Sequence, residues 1–477
     1  MFAHAKVYRL ALMPVAGAAA LLAFEPFGLY PLAWIALVPL IGGRDGPRWH
    51  RRLAGGYLYG LGFYGAGLVW LPASIGSFMA VPTGLAAAGY VVIVGFLALF
   101  PAIFRCLIGY MTSYRWRVLV LAPSLWVVLE AVRFSAFGGL PWLGLAASQA
   151  NGPLGAWYPL VGEAGVTALV VLLNGAGILL LSAFPRPGSE AGEAPEAARP
   201  AEAPTVSGDG RIGAGVVVAA ALATLVLVPL DWVEAQGEPV RVALIQAAVP
   251  GRLELPPGGR ADIARRYRAL VAEVIAETDV AVLPEAAMDP ASDDWAALVD
   301  AVTAVGAVLV VGVLEDTPGG ARYNSARLFA GSSTSVYRKQ RLVPIAEERW
   351  DRLRHVAADG RPPMLPGQTG ATLPFDGTRL GLSICWEIHF GHVTRESARE
   401  GAGLLVNIAN ESWIESPTEH ARSLAVARMR AAESGRALVR VVNRGLSAVI
   451  DADGRVVETR DGPCRLRRRR ASPFIPG

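Results

Sequence analysis

An uncharged stretch from Leu53 to Phe104 constrains the fold more than any other feature of this chain, because it contains no Asp, Glu, Lys or Arg. A helix needs roughly 20 apolar residues to cross a hydrocarbon core about 30 Å thick, so this stretch predicts two membrane spans. Of the 477 residues, 53% are hydrophobic and 18% are charged, whereas roughly 25% are charged in a typical soluble domain. The composition therefore predicts that part of the chain lies in lipid.

Further apolar runs raise the predicted number of spans to about seven. Segments 10–24 and 30–43 are each short for a span and together predict a hairpin of two helices. A signal peptide at residues 6–24 is the alternative, since a basic start precedes an apolar run there. These runs make residues 1–234 a predicted membrane domain. Its remaining predicted spans are 118–129, 164–184 and 212–230.

Arginines are concentrated in alternate connections between the predicted spans, and cytoplasmic loops are the ones that carry an excess of Lys and Arg. Because the basic connections all fall on one side, the pattern predicts a cytoplasmic N-terminus. Seven spans then place residues 235–477 outside the cytoplasm. Residues 185–210 are rich in Pro, Ala, Glu and Gly and predict a flexible cytoplasmic loop. The basic connections contain Arg44, Arg48, Arg51, Arg52, Arg105, Arg115, Arg117, Arg186, Arg199 and Arg211.

Residues 235–462 have the pattern of a soluble α/β domain. Amphipathic segments at 261–277 and 418–435 predict helices that alternate with strands. Such alternation predicts a sheet covered by helices, with functional residues on the loops at the strand ends. Short β-branched runs predict strands at 240–247, 279–285, 307–313, 379–387, 403–410 and 437–443.

Glu285, Lys339 and Cys385 occupy such strand-end positions. Of the 44 basic residues only Lys6 and Lys339 are lysines. Because arginine is the usual cation in this chain, a lysine at 339 indicates a task that arginine would not fulfil. Each residue alone is more often structural, but together they fit one chemistry. A thiol of pKa about 8.5 is mostly protonated at neutral pH, and a glutamate can accept its proton. An ammonium can stabilise the thiolate and the oxyanion of a tetrahedral intermediate. The set therefore predicts a cysteine nucleophile.

Two histidines keep other chemistries open. His389 and His392 are spaced loosely like metal ligands, and His389 could instead form a dyad with Cys385. No other Cys or His pair has matching spacing, and Cys106, Cys385 and Cys464 are too far apart for a disulfide framework. We therefore predict neither a metal nor a cofactor.

Three segments resemble the Glu, Lys and Cys motifs of the nitrilase superfamily: LPEAAMDP (283–290), YRKQRLVPIAEE (337–348) and SICWEIHF (383–390). With the multi-span N-terminal half, they look like the apolipoprotein N-acyltransferase family. The resemblance implies a multi-span α-helical membrane domain joined to an extracytoplasmic α/β nitrilase-like domain, an αββα sandwich. It covers nearly the whole chain through segments 25–40, 138–149, 407–413 and 427–451.

The resemblance implies roles for five residues. Glu285 would be the general base, Lys339 the cation that stabilises the oxyanion, and Cys385 the nucleophile that is acylated. Glu347 would position the lysine, and Glu387 corresponds to another glutamate near the nucleophile. The implied setting is a monomer in the bacterial cytoplasmic (inner) membrane, with a phospholipid acyl donor, a diacylglyceryl apolipoprotein acceptor and no nucleic acid.

The implied reaction is of the ping-pong type. Cys385 would take an acyl chain from a phospholipid as a thioester, and the α-amine of an apolipoprotein would then attack it. We expect apolar lid loops over the site, with contributions from Trp350, Trp386 or Trp413. A membrane-tethered amidase that uses water is the alternative enzyme, and a lipid-binding scaffold is the non-enzymatic alternative.

The sequence departs from the family pattern at two places. Residues 411–415 (ESWIE) stand where the family usually has an Asp and an aromatic-Gly pair. Residues 463–477 stand where the family commonly has one more transmembrane helix, and they form a basic tail instead. That tail predicts either contact with anionic lipid headgroups or a disordered end.

Overall fold

Successive residues of the central strands face two different cores, which explains the layered architecture. In β1 (Val240–Gln246), Val242 and Leu244 belong to a core shared by both sheets, whereas Ala243 and Ile245 pack with helix residues. This is the period of two expected of a strand that is covered on both faces. The computed structural model describes residues 10–43, 48–79, 81–110, 113–182, 208–234, 239–249, 259–344, 346–347, 364–368, 370, 372–375, 377–461, 464–465 and 470–471.

Two mixed sheets carry the globular half. The first has the order β12-β1-β2-β3-β4-β5, with β13 also paired to β1, and the second has the order β11-β10-β9-β8-β7-β6. The strands after β1 are β2 Val280–Val282, β3 Val308–Asp316, β4 Arg322–Ala330, β5 Ser333–Arg338, β6 Thr372–Phe375, β7 Thr378–Ile384, β8 Ala402–Ala409, β9 Ala437–Val442, β10 Leu446–Ile450, β11 Val456–Asp461, β12 Cys464–Arg465 and β13 Arg470–Ala471.

Helices cover the outer faces of both sheets. Gly259–Ala272 and Asp293–Ala304 pack on the first sheet. Gly391–Arg399 and Pro417–Ser434 pack on the second. The layers are therefore helix, sheet, sheet and helix, which confirms the predicted αββα sandwich. The six predicted strands are confirmed as β1, β2, β3, β7, β8 and β9.

The N-terminal half is helical and apolar. In the described part of this half, four helices are long and apolar enough to cross a membrane: Thr83–Ile108, Tyr114–Gly138, Pro153–Leu181 and Gly208–Leu227. Trp49–Gly67 and Leu71–Ser77 qualify as a pair that is bent by 54° at a short break. Met13–Ala23 and Tyr30–Ile41 are shorter apolar helices. Each of these units overlaps a predicted span; that there are about seven crossings stays a prediction.

Two predicted segments lie largely outside the described residues. Of the predicted loop 185–210, only residues 208–210 are described, and they begin the helix Gly208–Leu227. Of the predicted tail 463–477, β12 and β13 are described, and both pair antiparallel with β1. The described parts of the tail thus add strands beside β1.

The helix Pro417–Ser434, here called the docking helix, joins the globular half to the membrane half. Its Arg422 donates from Nη1 to the carbonyl oxygen of Gly67 at 2.7 Å and from Nε to that of Glu25 at 3.1 Å. Gly67 ends the helix Trp49–Gly67, and the last carbonyls of a helix lack partners within it. Arg422 therefore supplies a donor where the bent span is broken.

Close backbone contact in the membrane half depends on glycine. A Cβ at Gly62 would lie 1.9 Å from the carbonyl oxygen of Pro14, in the neighbouring helix Met13–Ala20. We expect Gly62→Ala to force these helices apart and to lower the free energy of unfolding by about 1–3 kcal/mol. Thermal unfolding in detergent micelles checks this.

Gly177→Ala is the matched control, because no atom outside the local backbone of its own helix and its two chain neighbours lies within 4 Å of the position that its Cβ would take. Its effect should stay within about 0.5 kcal/mol. Equal unfolding midpoints for the two variants would contradict the proposed close packing.

Candidate active site

The structure brings Glu285, Lys339 and Cys385 together from three strand ends. Glu285 lies beyond β2, Lys339 directly follows β5, and Cys385 directly follows β7. Because β2 and β5 belong to the first sheet and β7 to the second, the site forms where the two sheets meet. The sequence-predicted trio is therefore one cluster.

Lys339 is a buried ammonium held between two carboxylates. Its side chain is 1% exposed, and Nζ lies 3.3 Å from Glu285 Oε1 and 2.9 Å from Glu347 Oε1. Burial alone would lower the pKa of Lys339, but the charges of Glu285 and Glu347 outweigh it and raise that pKa. The lysine consequently stays a cation, as an oxyanion-stabilising group must.

Asn324 is a site residue that the sequence did not reveal. It is buried on β4, and its Nδ2 donates to Glu285 Oε1 at 2.6 Å and to Glu347 Oε1 at 3.1 Å. The backbone N–H of Asn410 donates to the other oxygen of Glu285 at 2.8 Å. These donors fix the Glu285 carboxylate against the lysine.

Cys385 has an unusual backbone conformation for a residue with a side chain. Its φ is +52°, in the left-handed region, and it begins the short 3₁₀ helix Cys385–His389, here called the nucleophile turn. Such strain persists only where surrounding contacts enforce it, and it is common at active sites. Burial, followed by the charge of Glu285, raises the pKa of the thiol, while Lys339 acts in the opposite sense. In the resting site Cys385 is thus a thiol, and it would need a base to act as a nucleophile.

Glu387 ties the lysine segment to the nucleophile turn. Its fully buried carboxylate accepts hydrogen bonds from four donors, and burial is the main cause that raises its pKa. One oxygen accepts from the backbone N–H of Gln340 at 2.7 Å and of Arg341 at 3.0 Å. The other accepts from Tyr337 Oη at 2.8 Å and from the N–H of Ile384 at 2.7 Å. These contacts join Glu387 to the segment after Lys339 and to the residue before Cys385.

Arg430 of the docking helix connects the nucleophile turn to a membrane span. Its fully buried guanidinium donates to the carbonyl oxygens of Ile388 at 3.1 Å and His389 at 2.8 Å. It also contacts Glu433 at 2.6 Å and Glu163, in the helix Pro153–Leu181, at 2.7 Å. The nucleophile turn is therefore held from the membrane half as well as from its own sheet.

A chain of tryptophans runs from the broken span to the nucleophile turn. Ring centroids of Trp386 and Trp142 are 5.2 Å apart, those of Trp142 and Trp70 are 6.3 Å apart, and those of Trp70 and Trp413 are 6.1 Å apart. Trp70 lies in the break between the two bent helices. Trp386 and Trp413 thus contribute apolar surface near the site, while Trp350 lies outside the described residues.

The His389 ring packs on an aromatic neighbour and does not form a dyad with Cys385. Burial, with Arg440 and Arg430 nearby, lowers the pKa of His389 to about 3, and no hydrogen bond joins its ring to Cys385. Its ring packs instead against Trp386, with centroids 5.1 Å apart. In the described part of the chain, no group of three or more His, Cys, Asp or Glu is placed to hold a metal ion.

Comparison with known proteins shows the family to which this chain belongs. Residues 16–176 match the family model of the apolipoprotein N-acyltransferase N-terminal domain, and residues 241–462 match that of the carbon-nitrogen hydrolases. The apolipoprotein N-acyltransferase of Azotobacter vinelandii is 31% identical over 466 residues, which cover 93% of this chain and 85% of that protein. The chain belongs to the apolipoprotein N-acyltransferase family. It is an N-acyltransferase.

The chain is also similar to a second apolipoprotein N-acyltransferase and to a solved structure. The apolipoprotein N-acyltransferase of Nitrosomonas europaea is 29% identical over 468 residues, which cover 93% of this chain and 87% of that protein. Among solved structures, Saccharomyces cerevisiae Nit3, a member of branch 10 of the nitrilase superfamily, covers 49% of this chain with 19% identity and a TM-score of 0.39, and 91% of that protein is matched.

The charges around Cys385 predict how its reactivity depends on pH. Because its thiol pKa is raised, iodoacetamide should alkylate it slowly at neutral pH and faster as the pH rises towards that pKa. Removing the negative charge in Glu285→Gln should lower the thiol pKa. The inflection in the curve of alkylation rate against pH should then move to lower pH. Intact-mass measurement of alkylation rates across this range checks the prediction.

A background without Cys106 and Cys464 leaves Cys385 as the reporter. In this background, Lys339→Met should move the inflection the other way, because it removes the cation that favours the thiolate. If neither substitution moves the inflection, the charges of Glu285 and Lys339 do not control the pKa of the Cys385 thiol.

Proposed function

We propose that this enzyme transfers an acyl chain from a phospholipid, through a thioester on Cys385, to the α-amine of the N-terminal diacylglyceryl-cysteine of an apolipoprotein. The observation that carries the proposal is the buried Lys339 ammonium between Glu285 and Glu347, next to the strand end that bears Cys385. A base and a cation beside a thiol are what acyl transfer through a thioester requires. The family's name supports the nature of the acceptor.

In the first half-reaction, Glu285 accepts the thiol proton as Cys385 Sγ attacks the ester carbonyl carbon of the phospholipid. The Lys339 ammonium stabilises the oxyanion that forms on the carbonyl oxygen. When the intermediate collapses, the carbon–oxygen bond breaks, and Glu285 returns the proton to the glycerol oxygen that leaves. The products are the thioester and a lysophospholipid.

In the second half-reaction, the neutral α-amine of the acceptor attacks the thioester carbonyl carbon. Lys339 again stabilises the oxyanion, and Glu285 takes a proton from the attacking nitrogen. The carbon–sulfur bond then breaks, the amide is released, and the proton passes to Cys385. Both half-reactions use the same three groups, so one site serves both substrates in turn.

We also propose that the catalytic domain faces away from the bacterial cytoplasm, in the inner membrane, and that the protein acts as a monomer. The helix Trp49–Gly67 supports this orientation. Arg51 and Arg52 lie in its first turn, whereas Gly67, at its other end, contacts the docking helix through Arg422. Because cytoplasmic loops are enriched in arginine, the arginine-rich end is the cytoplasmic one.

Mass spectrometry of the full-length protein incubated with phospholipid tests the reaction. We expect an acyl adduct on Cys385 that disappears when a diacylglyceryl peptide is added, with N-acylated peptide as the product. Cys385→Ala should lose at least about 10³-fold in rate, because nucleophilic attack has no substitute. Cys106→Ala is the matched control and should form the adduct.

Two results would overturn the proposal. Absence of an acyl adduct on Cys385 in wild-type protein would exclude the thioester. Release of free fatty acid with an unmodified peptide would show that water, not the amine, is the acceptor, and hydrolysis of a small amide without an adduct would favour the amidase alternative.

A further inference from the structure

Arg341 is an exposed cation beside the active site that has no carboxylate partner among the described residues. Its Nε donates to His392 Nε2 at 3.3 Å, and its guanidinium lies 5.7 Å from the centre of the Phe390 ring. Neither contact neutralises its charge. The two terminal nitrogens of the guanidinium remain available to a ligand.

The neighbouring charges strengthen this positive site. Burial, together with Arg341 and Arg395, lowers the pKa of His392, so its ring is neutral and accepts from the guanidinium. Arg395 contacts Glu433 at 2.7 Å, so that carboxylate is already engaged. Glu387, which lies beneath the Arg341 backbone, has all its acceptor positions occupied by four donors. Within the described part of the chain, no nearby acid therefore offsets Arg341.

Arg341 lies at the level where a membrane span ends. The Phe390 ring beneath it packs on Gly139, where a Cβ would lie only 2.5 Å from Phe390 Cε1. Gly139 follows the last residue of the apolar helix Tyr114–Gly138. The end of a span meets the headgroup region of a bilayer, where phosphate groups of lipids reside.

Arg341 is also linked to the proposed catalytic groups, through the backbone and through Glu387. It is two residues from Lys339, and its backbone N–H donates at 3.0 Å to Glu387, whose other oxygen accepts at 2.7 Å from Ile384. Ile384 immediately precedes Cys385. In a phospholipid only the glycerol unit separates the phosphate from the acyl ester, so the phosphate must bind close to the group that attacks the ester, and Glu387 joins the Arg341 segment to that of Cys385.

We propose that Arg341, with His392 behind it, binds the phosphodiester of the donor phospholipid. This inference rests on the proposed function, since it assigns a donor-binding group to the thioester-forming step. A guanidinium can bind two phosphate oxygens at once, which fits a planar cation whose terminal nitrogens are free. The phosphate contact would orient the ester towards Cys385 and would distinguish phospholipid from neutral lipid.

Initial rates of Cys385 acylation test the inference in full-length protein in mixed micelles. Two donors with the same acyl chains are compared: phosphatidylethanolamine, which has the phosphodiester, and diacylglycerol, which lacks it. In Arg341→Gln we expect kcat/KM for phosphatidylethanolamine to fall about 10-fold or more, as for a lost charged hydrogen bond, mainly through KM. The rate with diacylglycerol should stay at the wild-type value.

Two variants sharpen the result. Arg341→Lys keeps the charge without the planar fork and should recover part of the lost kcat/KM. Arg399→Gln removes an exposed arginine at the other end of the helix Gly391–Arg399 and should leave both donors unaffected. Adding inorganic phosphate separates the two sources of the ligand. If millimolar phosphate slows acylation by phosphatidylethanolamine only weakly, the site is one for a lipid headgroup. If much lower phosphate concentrations already slow it, the site belongs to free phosphate, and the inference is overturned.

The inference and the proposed function fail in different ways. If wild-type protein is acylated by both donors and Arg341→Gln keeps the same preference for phosphatidylethanolamine, the phosphate site is wrong and the thioester stands. If no donor acylates wild-type Cys385, the thioester mechanism fails, and the donor site fails with it.

Discussion

The buried ammonium of Lys339 is the constraint on which the rest of the site depends. An unpaired charge in a protein interior is very unfavourable, so the lysine can be buried only because Glu285 and Glu347 lie within hydrogen-bonding distance. Those carboxylates must in turn be held, which Asn324 does by donating to both. One cation therefore fixes the positions of a strand end, a loop and a neighbouring strand, and the proposed base, Glu285, is one of its two counter-charges.

The proposed nucleophile, Cys385, is held by a second set of contacts that reaches into the membrane half. Glu387 joins the segment after Lys339 to the residue before Cys385, and Arg430 joins the nucleophile turn to Glu163. A left-handed residue such as Cys385 needs support on both sides of the turn. Its geometry is therefore determined jointly by the sheet and by a transmembrane helix.

Much of this arrangement could be predicted from the sequence, because local patterns carry it. Alternating β-branched runs gave the six central strands, and the rarity of lysine drew attention to Lys339. Asn324 and Arg430 could not be found in this way, because their roles come from partners distant in sequence: 39 residues separate Asn324 from Glu285, and 267 separate Arg430 from Glu163. The break after Gly67 was likewise missed, since the donor that stabilises it, Arg422, belongs to the other domain.

The docking helix has a consequence for how this protein can change over time. At residues 235–239 the sequence changes from apolar spans to the pattern of an α/β domain. Such a change usually marks a domain boundary, where a gene can be divided. Here a division would leave the guanidinium of Arg430 without Glu163 and the carbonyl of Gly67 without Arg422. The two halves must therefore be inherited together. A soluble protein derived from the catalytic half would first have to replace Arg430 and Arg422.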